Sequence, residues 1–486
     1  MLKAVKSLVS ASFVYGLGTI GSKFIGFFLL PVFTRYLTPS EYGLFETFNV
    51  FCFLLSSIGT LAMDTALIRF YYDSTDPQHR SLVVSSALFL TTSAGVILAL
   101  LGFAFSSQIN GALFGSADHV SILHITMFIV VVSIINTIQL ALFQAKRNPG
   151  RYSILTFFRF TAMYSLSIYF LIKGESVYGL MLAQVIAYGA TVLWGFLFSR
   201  HDFRLAVSRK LSKEMLIFSA PLIVGSISIW LLSSSDRFFL LHFSSLNELG
   251  LYSLGSRLAS VVLFAVTAFQ MAWPQFALAR PTDENTGYTH ARILTYYLFI
   301  GTLIVLGITL FTPEILRILT TSSYAGAASV VFLLSCSSLF FGCYFVFGII
   351  LSLTKNTVSI LPVALPPLLV NVLLNYYLVP RMGGMGSAIA SASAYLLMAV
   401  LTFVFTNRFF PIRYEWGRIA KMMLIAGCVI LIGRMLSWDS LLLSIAAKSS
   451  LLAIYFLALS TVKFFLPIEM QTIKNILLRP FHLTSQ

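Results

Sequence analysis

From about residue 12 onward the chain is a succession of apolar runs, each roughly 20 residues long, separated by short polar connectors. A run of that length crosses the ~30 Å hydrocarbon core of a bilayer as a helix. Fourteen such runs can be marked, the first at 12–34 and the last at 442–465. Lipid offers the backbone no hydrogen-bond partners, so long, evenly apolar segments must satisfy their own, as helices do. Composition points the same way: 58% of residues are hydrophobic and 10% charged, against about 25% charged in soluble domains. Disorder, collagen, a coiled coil and a secreted disulfide scaffold are excluded. The four cysteines lie in apolar runs without metal-ligand spacing and read as buried free thiols. The expected fold is an all-α polytopic membrane protein with about 14 transmembrane helices and no soluble domain. The short basic start with Lys3 and Lys6 reads as the flank of an uncleaved first helix.

The charge is lopsided: 32 Lys and Arg against 17 Asp and Glu, a net +15. Short cytoplasmic loops are enriched in Lys and Arg. With the N-terminus inside, inner loops and tails hold 22 of these cations and outer loops five. Both termini are therefore expected in the cytoplasm. The densest connector, Arg200 to Lys213, reads as an anchor of this kind in preference to a lipid-headgroup site.

A repeat runs through the pattern. Glu41-Tyr42-Gly43-Leu44-Phe45 opens the second span, and Glu248-Leu249-Gly250-Leu251-Tyr252 opens the eighth, 207 residues on. Gly179-Leu180-Met181-Leu182-Ala183 and Gly386-Ser387-Ala388-Ile389-Ala390 open the sixth and twelfth at the same offset. Arg147-Asn148 and Lys355-Asn356 follow the fourth and tenth at 208. The expected organisation is two parallel six-helix repeats, an N-lobe at 1–207 and a C-lobe at 208–414. Two extra helices and a cytoplasmic tail follow at 415–486. Parallel repeats are a known transporter plan, with the substrate site between them and alternating access by rocking.

Charge inside the bilayer costs at least ~2.5–3.5 kcal/mol and marks functional positions. Lys23, Arg159, Arg237 and Arg257 fall within spans, with Asp236 as their one acidic neighbour away from the span ends. Together they suggest a cationic cavity for an anionic headgroup, because the planar guanidinium suits phosphate. The alternative for each is an internal ion pair or snorkelling. Lys448, near a span end, is expected to snorkel. Asp64 and Asp236 are candidates for ion coupling or ion pairing. Gln139, Asn371 and Asn375 are candidate sugar contacts, or else interhelical hydrogen-bonders. Pro221, Pro362 and Pro366 are candidate hinges, or else static kinks.

No nucleotide-binding, metalloprotease or nucleophile motif occurs, so neither a catalytic residue nor a metal site is expected. Basic residues do not interleave with aromatics on a polar face, which argues against nucleic acid. No cofactor is expected, and H+ or Na+ coupling is left open.

Several stretches resemble the polysaccharide-flippase branch (O-antigen and exopolysaccharide flippases) of the multidrug/oligosaccharidyl-lipid/polysaccharide exporter superfamily. They are Phe33-Thr34-Arg35-Tyr36-Leu37-Thr38-Pro39-Ser40-Glu41-Tyr42-Gly43, Asp64-Thr65-Ala66-Leu67-Ile68-Arg69-Phe70-Tyr71, Leu232-Ser233-Ser234-Ser235-Asp236-Arg237-Phe238 and Gly250-Leu251-Tyr252-Ser253. The resemblance implies a non-enzymatic flippase of the bacterial cytoplasmic (inner) membrane. Its substrate would be undecaprenyl-diphosphate-linked oligosaccharide, moved from the inner to the outer leaflet through a cationic central cavity. It further implies a monomer in membrane lipid, working beside a polysaccharide polymerase and assembly proteins. Three rivals stand beside it: a multidrug or cation antiporter of the same fold, a membrane enzyme of envelope polysaccharide assembly, and a flippase for peptidoglycan precursor. The four-to-one cation excess opposes the antiporter, and the short outer loops oppose the enzyme.

Overall fold

The structure is a computed structural model and describes residues 27, 29–204, 206–279, 286–353, 360–436, 440–467 and 469. Among them every regular element is helical. In chain order the α-helices are α1 (Leu30–Tyr36), α2 (Pro39–Thr60), α3 (Met63–Tyr71), α4 (Pro77–Ala104) and α5 (Ser106–Phe114). Next come α6 (Val120–Ala145), α7 (Pro149–Ile172), α8 (Val177–Ser199), α9 (Arg209–Phe243) and α10 (Leu246–Ala279). The last are α11 (Thr286–Leu319), α12 (Ala328–Leu353), α13 (Ile360–Phe409), α14 (Trp416–Met435) and α15 (Leu441–Thr461).

Twelve helices among the described residues are long and apolar enough to cross a membrane, where the sequence suggests fourteen spans. Most of the first expected span, with Lys23, lies outside the described residues, as do Lys355 and Asn356. The eleventh and twelfth expected spans are joined as α13, interrupted only by the non-helical backbone of Gly383 (φ 52°, ψ −132°). The helix runs through Pro362 and Pro366, so its break falls at neither hinge candidate. Pro221 likewise sits inside an uninterrupted α9.

Local sequence sets the starts of these helices. Thr38, Asp76 and Asn148 cap α2, α4 and α7, each followed by proline at the first helical position. The cap side chain satisfies an orphan N–H, and proline lacks one to satisfy.

By packing, the chain divides into two units. The first comprises Met1–Leu254, Leu319–Ala327 and Leu368–Ser391. The second comprises Gly255–Ile318, Ala328–Pro367 and Ala392–Gln486. This division is not the one drawn from the repeat.

In the first unit a buried cluster joins α3, α4, α6 and α9 through Met63, Leu67, Val83, Ile138, Leu142 and Met215. The 207-residue period reappears there as geometry. Thr38 Oγ1 accepts from the Glu41 N–H (3.3 Å), and Ser245 Oγ accepts from the Glu248 N–H (3.2 Å). The Glu41 carboxylate accepts from Ser176 Oγ at 2.5 Å. The Glu248 carboxylate accepts from the Gly384 N–H at 3.0 Å, one residue off the period.

The second unit holds a buried ion pair that corrects one expectation. Lys448 does not snorkel: it is 4% exposed, and its Nζ lies 2.5 Å from Glu314 Oε1, which also accepts from Ser444. At another place Arg418 bridges Glu415 and Glu469, and Glu469 also accepts from Tyr296 and from the Leu466 N–H. Burial pushes the Glu469 pKa up, but the bonds from Tyr296 and Leu466 and the Arg418 charge outweigh it and hold the carboxyl below its ordinary value.

Candidate functional site

The expected second span, 44–63, ends at a break in the helix. Leu61 and Ala62 both adopt left-handed backbone (φ 53° and 50°), separating α2 from α3. Two consecutive non-glycine residues in that region cost on the order of 1–3 kcal/mol each, and such outliers gather at functional sites. Ala62 offers no side-chain cap to α3, so the first turn of that helix has no capping acceptor from its own chain end. Discontinuous helices of this kind are tolerated in membranes where they line a cavity.

A cavity of about 410 Å³ opens at that break. Asn49, Cys52, Phe53, Ser56, Ser57 and Thr60 line it from α2, and Ala62 and Asp64 from the break and the start of α3. Ile129, Ser133 and Thr137 come from α6, Gln184 and Tyr188 from α8, and Ser226 from α9. Most of these carry a hydroxyl or an amide, and those of α2, α6 and α8 recur at spacings of three or four residues, so these helices turn one face inward. Several are already ordered. The Gln184 amide donates to Asn49 Oδ1 at 3.0 Å, Ser56 and Ser133 share a bond at 2.8 Å, and Thr60 donates to the Ser56 carbonyl at 2.7 Å. Among the described residues Asp64 is the one carboxylate of the wall, and neither Lys nor Arg lines it. Arg69, five residues on, pairs with Asp73.

The sequence-derived candidates are distributed around the molecule. Arg159 stands behind the cavity wall. Its guanidinium lies 5.0 Å from the Tyr188 ring centroid and donates to Asn136 Oδ1 at 2.6 Å. Arg237 is paired: it donates to Asp236 at 3.2 Å, and Asp236 also accepts from the Tyr252 hydroxyl. Asp236 is thus held in an ion pair and is 6% exposed. Arg257 is half-buried on α10, in the second unit. Lys23 is outside the described residues.

The candidate sugar contacts do not line this cavity. Gln139 is fully buried, and its amide donates to the Val192 carbonyl at 3.0 Å, where Gly195 leaves room for it. Asn371 and Asn375, also fully buried, form a chain with Ser235 and Ser387. Ser235 donates to Asn371 at 3.3 Å and Ser387 to Asn375 at 2.7 Å, tying α9 to the two arms of α13. The residues that do line the cavity were missed because serine, threonine and asparagine in apolar helices are common, and nothing in Leu61-Ala62 announces a break.

Against known structures, the chain is similar to the lipid II flippase MurJ in an inward closed conformation. The TM-score is 0.74 at 14% identity, covering 96% of this chain and all of that one. It is also similar to an inward-facing multidrug resistance MATE transporter (TM-score 0.66, 14% identity, 80% of this chain and 94% of that one) and to the MATE transporter VcmN of Vibrio cholerae (0.59, 14%, 83% and 96%). The chain therefore shares the fold of these structures and is a multi-span membrane protein. Residues 8–277, more than half of the chain, match the polysaccharide biosynthesis protein family, and the chain belongs to that family. Protein 1 of the Lsg locus of Haemophilus influenzae is 26% identical over 271 residues, which are 54% of this chain and 63% of that relative.

Proposed function

We propose that the protein is a lipid-linked oligosaccharide flippase of the bacterial cytoplasmic membrane. It moves undecaprenyl-diphosphate-linked sugar units from the inner to the outer leaflet by alternating access. The observation that carries this reading is the cavity at the break between α2 and α3, walled by hydroxyls and amides from four helices. That donor and acceptor set suits a carbohydrate, whose hydroxyls ask for both roles. Membership of the polysaccharide biosynthesis family and a fold shared with a lipid II flippase support it. In this reading the sugars enter the cavity, the isoprenoid tail stays in lipid, and Lys23, Arg159, Arg237 and Arg257 serve the diphosphate. Asp64, which faces the cavity, is the coupling candidate for H+ or Na+, while Asp236 is an ion-pair partner.

The test is transport by the purified protein in proteoliposomes, scored by protection of a fluorescent polyprenyl-diphosphate oligosaccharide from an external quencher. Translocation that needs the protein supports the proposal; equal rates with and without it overturn it. In cells, Lys23→Gln and Arg257→Gln are expected to abolish surface polysaccharide at normal membrane amounts of protein. One observation favours a second reading, a cation antiporter: among the described residues the only charge in the cavity wall is the acid Asp64. Dye efflux that needs Asp64, without oligosaccharide translocation, would decide for it.

A further inference from the structure

A second hollow in the first unit has a different chemistry. It encloses about 670 Å³ between α4, α8 and the connector that follows α8. Its walls are apolar, made by Leu88, Phe89, Phe196, Phe203 and Val207. Phe89 is 56% and Val207 45% exposed, so the hollow opens outward rather than into a packed core. At its mouth stand two guanidiniums, Arg200 and Arg204.

The connector is built to hold them there. The Arg204 N–H donates to Ser85 Oγ (2.9 Å) and the Ser208 N–H to Ser86 Oγ (3.3 Å), which fastens the segment across α4. Phe203 packs on Phe196 with ring centroids 5.2 Å apart. The one acid between Arg200 and Ser208 is Asp202, and it is taken by Lys146 at 2.6 Å. Neither arginine has a carboxylate within ion-pair distance among the described residues. A dry apolar groove with two uncompensated cations at its rim matches an acyl chain joined to a phosphate.

We propose that this groove binds an anionic phospholipid, with one acyl chain against Phe89, Phe196 and Val207 and its phosphate held by Arg200 and Arg204. The connector, which the charge count alone reads as a topological anchor, is thereby a lipid site. The leaflet is the one faced by the Lys- and Arg-rich loops, where anionic headgroups concentrate basic segments. The site is independent of what the protein transports.

The experiment uses the purified full-length protein, delipidated in detergent and titrated with phosphatidylglycerol or phosphatidylcholine of the same acyl chains, with adducts counted by native mass spectrometry. Phosphatidylglycerol is expected to be retained in preference. Arg200→Gln with Arg204→Gln should weaken it about 30-fold, the weight of two cations at a bilayer surface. Ala206→Trp, which fills the groove and leaves both charges, should also abolish it. Arg209→Gln with Lys210→Gln, cations outside the groove, should leave it unchanged. Equal retention of the two lipids overturns the proposal, as does equal loss in the Arg209/Lys210 variant. So does displacement of phosphatidylglycerol by an equal amount of undecaprenyl phosphate, which would assign the groove to the isoprenoid carrier. If Ala206→Trp does not fold, the exposed arginine pair still decides.

Discussion

Gly43 of α2 and Gly250 of α10 face each other across 207 residues of sequence, each standing where the other leaves no room for a side chain. A Cβ on Gly43 would lie 3.0 Å from the Gly250 nitrogen and run into the Leu246 carbonyl. A Cβ on Gly250 would lie 3.1 Å from the Gly43 nitrogen and run into the Pro39 carbonyl. The contact is reciprocal: Pro39 stands to Leu246 as Gly43 stands to Gly250. A self-complementary patch of this kind is what two-fold symmetry produces, so the repeat is visible as an approach of backbones that only glycine permits.

Gly43→Ala and Gly250→Ala should therefore destabilise the protein by about 1–3 kcal/mol each, because backbone cannot retreat as a side chain can. Gly427→Ala, where a Cβ meets nothing within 4 Å, should be neutral or gain up to ~1 kcal/mol of helix propensity. Thermal unfolding in detergent distinguishes the two classes. Equal effects at all three positions would show that the close approach is not maintained in the membrane.

Removing one partner of the Glu314–Lys448 pair should cost more. Lys448→Met leaves a buried carboxylate facing only Ser444, a loss of about 3–5 kcal/mol. Adding Glu314→Met should recover most of it, since buried pairs are often replaceable by apolar residues of similar volume. The double-mutant cycle on unfolding midpoints checks this, and additive losses would contradict it.

Transport should respond to the cavity rather than to the buried amides. Gln184→Leu, which removes a polar group from the wall and leaves Asn49 without its donor, should lower surface polysaccharide about 10-fold at unchanged membrane amounts. Polysaccharide at wild-type level in this variant would exclude the cavity from the sugar path.

Membrane potential should assist export. An anionic headgroup of about two charges gains ~4–5 kcal/mol per 100 mV on leaving an inside-negative compartment uncompensated. Imposing a valinomycin/potassium potential on proteoliposomes should speed outward flipping. A rate indifferent to the potential would mean that charge is compensated during transit.

Acid should loosen the Arg418–Glu469 clasp. The Glu469 pKa is lower in the folded protein than in the unfolded chain, so its stabilisation is present above about pH 4.5. It fades as pH falls through the folded value, when Tyr296 loses its acceptor and Arg418 one of its two carboxylates. Glu469→Gln should flatten this part of the stability profile between pH 5 and pH 3, on the order of the ordinary carboxylate range.

The sequence by itself determined the membrane class, the approximate spans and the 207-residue period. The spans are local, because hydrophobic length is written in neighbouring residues, and the period is read by comparing such short stretches. It also singled out Arg159, Arg237 and Asp236 as costly charges, with Asp236 as an ion-pair candidate, but not Asn136 or Tyr252 as their partners. Tertiary structure decided that Asp236 is held by Arg237 and Tyr252, that Lys448 meets Glu314, and that Gln139 is spent on the Val192 carbonyl. It also decided that the backbone turns left-handed at Leu61-Ala62, two residues of ordinary helical type, and that polar residues from four helices converge there. The reason is physical. A buried polar group is satisfied by whatever the packing brings within about 3 Å, often more than 50 residues away, and such a partner leaves no trace in the pattern around it.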